Sequence, residues 1–262
     1  MIRRACMLFA AAVLIALPNV ASAMTIEKIV SPSGIEAWLV REKSVPLITL
    51  NYAFHGGASQ DDADKSGAAH FAADLLDEGA GELDSKTFHE RLENHAIELG
   101  FQVGRDTFHG SLRALNEHRD EAVDLLRLAL TKPRFDAEAV ERVREQELSV
   151  LRRDITNPND LASRRWWQTA FPGHPYGRET KGTLETMARV TVDDLRDYVR
   201  RVFARNELKV SIVGDVDEKT AGELIDRAFG SLPAKNDLKP VPDATPSGLG
   251  RRIVIDVDVP QA

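Results

Sequence analysis

Apolar and polar positions alternate with period two through the first part of the chain, which predicts strands before any helix. Ile26–Val30 leads into a Pro32-Ser-Gly34 turn, Ile35–Val40 alternates and is rich in β-formers, and Val45–Phe54 alternates over its whole length. His55-Gly-Gly57 breaks the third run, and an acidic loop with Asp61, Asp62 and Asp64 runs to Gly67. The period then changes. A helix is predicted over Ala68–Glu78, closed by Gly79-Ala-Gly81, and a second from Asp84 or Ser85 to His95. Ile97–Val103 and Thr107–Leu115 read as a hairpin turning at Gly104-Arg-Asp106.

Helical spacing dominates the next stretch. Ala122, Val123, Leu126 and Leu130 place one apolar face on a helix over Glu117–Leu130, stopped by Pro133. Asp136 caps a longer helix through Thr156, ended by Asn157-Pro-Asn159, and Leu161–Phe171 forms another. Thr191 caps Val192–Phe203, with Asp193 and Asp194 in the first turn, where the helix dipole favours negative charge. Leu208–Val213 is a strand and Glu218–Phe229 a helix. Residues 233–250 hold four prolines and read as a linker, followed by a strand over Arg252–Val259 that is either the start of a truncated second domain or an edge strand of the first sheet. The order of elements predicts an α+β fold, a mostly antiparallel mixed sheet with helices packed on one face, occupying residues 24–232.

Composition adds a location. Arg3 and Arg4, the apolar run Met7–Leu17 and the small-x-small site Ala21-Ser-Ala23 make residues 1–23 a secretory signal peptide, and the apolar run is short of the roughly 20 residues that span a bilayer. Cleavage near Ala23 leaves a periplasmic or secreted chain without cysteine, since Cys6 lies in the signal. Removing the two arginines takes the formal charge from −7 to −9, and an acidic chain without a basic cluster speaks against nucleic acid as a partner. There is no Gly-x-Ser-x-Gly elbow and no Gly-rich phosphate loop ahead of a helix.

Candidate chemistry centres on His70 and Asp74, which sit four residues apart on one helical face. Around them, Ala58–Asp62 before Gly67, His174-Pro-Tyr-Gly177 followed by Lys181-Gly-Thr183, Thr191–Leu195 and Val210–Asp215 occur in an order that resembles the N-terminal half of the pitrilysin/insulinase family of zinc metallopeptidases. The resemblance implies two homologous domains per subunit, with two subunits or halves closing around a peptide. Active members carry His-x-x-Glu-His on the helix that holds His70. Two histidines at i and i+4 share a zinc ion, and the glutamate between them deprotonates the zinc-bound water. Laid on this chain, the pattern keeps His70, puts Ala73 at the general base and Asp74 at the second histidine, and its more distant glutamate falls on Val150 or very near it. Alanine has no proton-accepting group, and general-base catalysis contributes about 10²–10⁴-fold.

The resemblance therefore implies a non-catalytic subunit, without a catalytic residue and with no cofactor expected, that helps bind and enclose peptide substrate with a catalytic insulinase-family subunit carrying His-x-x-Glu-His. Two alternatives stand beside it. One is an active zinc metalloendopeptidase with an altered site of His70, Asp74 and Glu147, for which Glu78 is the nearest candidate base; the other is a truncated relic without function. None of the remaining histidines has metal-ligand spacing with another. The adjacent Trp166 and Trp167 point about 100° apart on their helix, so one is expected in the core and the other at an interface.

Overall fold

The computed structural model describes residues 25–257. The predicted signal peptide and its predicted cleavage site lie outside the described residues, as does the end of the last predicted strand from Asp258 onward.

Strands β1 (Ile26–Val30), β2 (Glu36–Arg41) and β3 (Leu47–His55) form where the alternation placed them. The chain then makes helix α1 (Ala68–Ala73), the two-residue strands β4 (Gly79–Ala80) and β5 (Leu83–Asp84), and helix α2 (Ser85–Asn94). The hairpin β6 (Glu98–Val103) and β7 (Thr107–Leu115) follows, then helices α3 (Arg119–Thr131), α4 (Ala137–Asp154), α5 (Pro158–Ala170), α6 (Leu184–Arg189) and α7 (Val192–Val202). Strand β8 (Lys209–Gly214) and helix α8 (Glu218–Phe229) complete the body. The main sheet runs β1-β2-β8-β3-β7-β6; only the β2–β8 pair is parallel, so the expected mixed, mostly antiparallel α+β fold is borne out.

Register explains the single covered face. Along β3, Ile48, Leu50, Tyr52 and Phe54 are buried; they pair with Ala114, Leu112, Gly110 and Phe108 of β7, and the first three also pair with Gly214, Ile212 and Val210 of β8. Helices α3 and α8 pack together over this face, with Phe229 edge-on to Tyr52 at 5.1 Å. Each large side chain buried here contributes about 1.5–3 kcal/mol. The opposite face carries exposed Trp38, Asn51, His109, Arg113 and Lys209. Gly110 is required where it stands: a Cβ there would lie 2.0 Å from Tyr52 Cζ.

Several boundaries differ from expectation for local reasons. Helix α1 stops at Ala73, not Glu78, because the chain tightens into i→i−3 bonds (Leu75 N to Ala72 O, Leu76 N to Ala73 O) that bury Leu75 and Leu76 together. Gly79, at φ +106°, then turns into the unanticipated β4–β5 pair. Asn157-Pro-Asn159 both ends α4 and starts α5: the Asn157 side chain accepts from Asn159 N, and Pro158 takes the first helical position. Helix α6 was not anticipated, although Thr183 and Thr186 form a capping box. Residues 251–257 carry no strand, and Ile253, Val254 and Ile255 are exposed. The proline-rich segment lies along the body, with Asp237 N bonded to Arg201 O, Lys239 N to Gln60 Oε1 and Ser247 N to Ala170 O.

Candidate metal site on the first helix

Helix α1 is held in place by its start. Gly67 caps it at φ +96°, and a Cβ there would lie 2.6 Å from Lys181 O, so the two segments touch at backbone distance. No local side chain caps the first turn. Asp61, from the preceding loop, does so: its carboxylate accepts from Gly67 N at 2.8 Å and Ala69 N at 3.0 Å. Burial pushes the Asp61 carboxyl up to about 7, against the opposing pull of those two N–H groups and of Arg201 and Lys239. Buried Ala68, Ala69, Ala72 and Ala73 let α1 sit close to its neighbours, while His70 looks out half-buried from the other side.

Helix α4 brings the second component. Arg144 donates to Met187 O at 2.5 Å and Val190 O at 2.9 Å, and its guanidinium lies 5.0 Å from the centre of the Phe71 ring. That clamp ties α4 to α1 and to the turn between α6 and α7. One turn beyond Val143, which is buried, Glu147 faces His70. The imidazole Nε2 is 3.4 Å from Glu147 Oε2 and 3.5 Å from Asp74 Oδ2. Both of those oxygens are buried and neither has a hydrogen-bond partner. Among the described residues, His70, Asp74 and Glu147 are the group of three whose donor atoms lie within 4.8 Å of one another.

Their protonation reflects the crowding. Burial opposes a charged imidazole, but Glu147 and Asp74 outweigh it and raise the His70 pKa. Burial raises the Asp74 carboxyl to about 6, with His70 pulling the other way. Contact with His70 lowers Glu147.

Of the two positions the sequence offered for the third donor, the structure brings the alternative one to His70. The carboxylate that meets His70 is that of Glu147, about one helical turn before Val150, on the face of α4 that points at α1. Val150 is half-buried and offers no donor. Glu78 is committed elsewhere: it accepts from Ser85 and Arg142, which lower its pKa against burial, and it lines a cleft of about 450 Å³ with His89, Asp136 and Arg142 that does not include the His70 group. Ala73 is 1% exposed and presents a methyl group where the pattern places a general base.

Trp166 is 55% exposed, whereas Trp167 is half-buried beneath the Arg105 guanidinium, 3.4 Å from its ring centre, and stacks on Phe171 at 5.5 Å. Sequence spacing also gave no sign that His95 and His118 meet, with ring centres 4.6 Å apart.

With this geometry established, comparison with known proteins gives the family. The pattern of Insulinase (Peptidase family M16) matches residues 39–184, and that of the Peptidase M16 inactive domain matches residues 189–262. The chain belongs to the insulinase family. It is 31% identical over 189 residues to the non-peptidase homolog YmxG of Helicobacter pylori, covering 72% of this chain and 44% of that protein. It is 23% identical over 217 residues to the mitochondrial-processing peptidase subunit beta of Saccharomyces cerevisiae, covering 83% of this chain and 46% of that one. Among solved structures, the peptidase M16 inactive domain from Pseudomonas fluorescens superposes with a TM-score of 0.78 at 23% identity over 85% of this chain and 54% of that one. Pitrilysin superposes at 0.74 and 18% over 86% of this chain and 25% of that one. The chain thus spans about half the length of the curated relatives it matches. The join between the two matched patterns falls within α6, yet β8 inserts between β2 and β3, so both matched stretches build one sheet.

The family implies zinc, and the residues present can be tested against it. Donors about 2.0–2.2 Å from a tetrahedral zinc lie about 3.4 Å apart, which matches the His70–Glu147 and His70–Asp74 spacings. The donor set fits a divalent ion, whereas the base position does not fit hydrolysis.

Proposed function

We propose that this chain is an exported, non-catalytic insulinase-family subunit that helps bind and enclose peptide substrate together with a catalytic partner carrying His-x-x-Glu-His. The observation that carries the reading is Ala73, a buried methyl at the base position, with Glu78, the candidate base of the alternative reading, tied to Arg142. An ion held by His70, Asp74 and Glu147 would supply Lewis-acid polarisation. The two carboxylates beside it are spent as ligands, and Ala73 offers nothing to take the proton of an attacking water. The non-peptidase name of the Helicobacter relative and the subunit name of the yeast relative support the same reading. Exposed Trp166, backed by Trp167 and Phe171, supplies an aromatic surface suited to a partner. The signal-like residues 1–23 support export to the periplasm.

The test is reconstitution. The chain is mixed with an insulinase-family subunit that has an intact motif, and peptide affinity and turnover are compared with each protein alone. The reading expects no turnover from this chain alone and tighter peptide binding or faster turnover from the pair. Turnover from this chain alone, or a pair no different from the catalytic subunit by itself, contradicts it.

A further inference from the structure

We propose that the cleft lined by Trp38 binds a neutral saccharide, with a pyranose ring lying against the indole. The cleft has a volume of about 380 Å³, within the about 300–1,000 Å³ of small-ligand sites, and it shares no residue with the His70 group. Trp38 stands on β2, with Lys28 of β1 and Ser211 of β8 as its cross-strand neighbours. Serine is too short to cover an indole ring, and Trp38 stays 44% exposed. An aromatic face is thereby offered to the apolar C–H face of a sugar.

The polar part of the lining decides the ligand's charge. Glu36 and Glu207 are carboxylates, and Arg205 and Lys209 are cations. The cleft is therefore neutral in sum on a chain whose formal charge is −7, so it favours neither an anion nor a cation. It offers donors and acceptors side by side, and sugar hydroxyls, each both donor and acceptor, match that mixture. Glu36 also meets Lys28 at 2.8 Å, with both side chains exposed enough for ligand hydroxyls to reach. One donor lacks a partner: among the described residues, the buried Arg205 Nε has no acceptor. The wall that carries it is stapled in place. Arg205 N donates to Pro233 O at 2.8 Å, Asn206 N to Ala234 O at 3.2 Å, and Asn236 N to Asn206 Oδ1 at 2.7 Å. Next in the chain, Glu207 is held at φ +62°, a left-handed conformation uncommon outside glycine and often found at functional sites. An extended peptide fits less well. At Trp38, β2 is paired on both sides, to β1 and to β8, so no open strand edge is there for a peptide backbone to join.

The experiment titrates the chain from Met24 onward with cellotriose and with chitotriose, both neutral. The trimer of galacturonic acid serves as an anionic probe and tetraalanine as a peptide probe. Tryptophan fluorescence and calorimetry read binding to the unmodified chain, and calorimetry alone reads the variants. The inference expects a neutral trisaccharide to bind with a millimolar or tighter Kd, to shift the tryptophan emission and to bind more tightly than either other probe. It expects Trp38→Ala to weaken that binding by about tenfold or more and Glu207→Gln by about threefold. Both side chains are exposed, so the Tm of each variant is expected within about 2 °C of the unmodified chain. Failure of both neutral trisaccharides to bind overturns the inference, as does tighter binding of the galacturonic acid trimer or of tetraalanine. So does an affinity unchanged in folded Trp38→Ala or, should that variant not fold, in Glu207→Gln. None of these readouts involves turnover or a second subunit, so the result stands apart from the reading under Proposed function.

Discussion

Asp61→Asn tests how α1 is held. Asp61 is 5% exposed, caps α1 through Gly67 N and Ala69 N, and has its carboxyl raised from 3.8 to about 7 by burial. In the unfolded chain the group is ionised throughout the range from pH 6 to 8. In the folded chain it holds its proton at pH 6 and loses it by pH 8. The folded state therefore binds the proton more tightly, and the contribution to stability is present at low pH and lost as pH rises through 7. Integrated over that range, a single group with a pKa of 7 costs the folded state about 1.4 kcal/mol. Asparagine keeps one acceptor and turns an amide nitrogen towards the other backbone N–H, a loss of about 1–3 kcal/mol that does not depend on pH. Urea unfolding of both proteins at pH 6, 7 and 8 should show the variant less stable at pH 6 and the gap narrowing by about 1.4 kcal/mol at pH 8. Other titrating groups, including His70 and Asp74, act on both proteins and cancel in the difference. A gap that stays constant across the three pH values refutes the assignment of a neutral-range carboxyl to this cap.

Arg144→Met should lower stability by about 3 kcal/mol in the same assay, since it removes two charge-assisted bonds to Met187 O and Val190 O from a side chain only 13% exposed; an effect below about 1 kcal/mol would show that the clamp is dispensable. Gly110→Ala should cost about 1–3 kcal/mol or more, read as a fall in Tm, because the new methyl collides with the Tyr52 ring; a neutral result would mean that β3 and β7 yield more easily than their register suggests. Trp166→Ala should leave stability within about 0.5 kcal/mol and weaken capture of the catalytic partner, so an unchanged partner affinity removes the aromatic surface from the interface.

Much of this fold was legible in the sequence because period-two and period-3.6 patterns report which face is buried, and in β3 and α3 that face is nearly all apolar. Short elements were harder. Helix α6 and the β4–β5 pair are too brief for periodicity to register and form through a capping box and a positive-φ glycine. At the site, the i,i+4 relation of His70 and Asp74 was legible because it is local. Glu147 was legible only as the alternative to Val150, because the choice between them depends on how α4 crosses α1, a crossing supported by Arg144 reaching carbonyls more than forty residues away. Asp61 was visible only as part of an acidic loop; nothing in its local sequence announces a cap for a helix that starts after Gly67.

The central claim is that a family fold and a competent set of metal donors are present here without a base. It is tested most directly by incubating the chain from Met24 onward, supplied with zinc, with a diverse peptide mixture and examining the products by mass spectrometry. The account predicts no cleavage above a zinc-only blank. Chelator-sensitive cleavage that disappears in His70→Ala would contradict it.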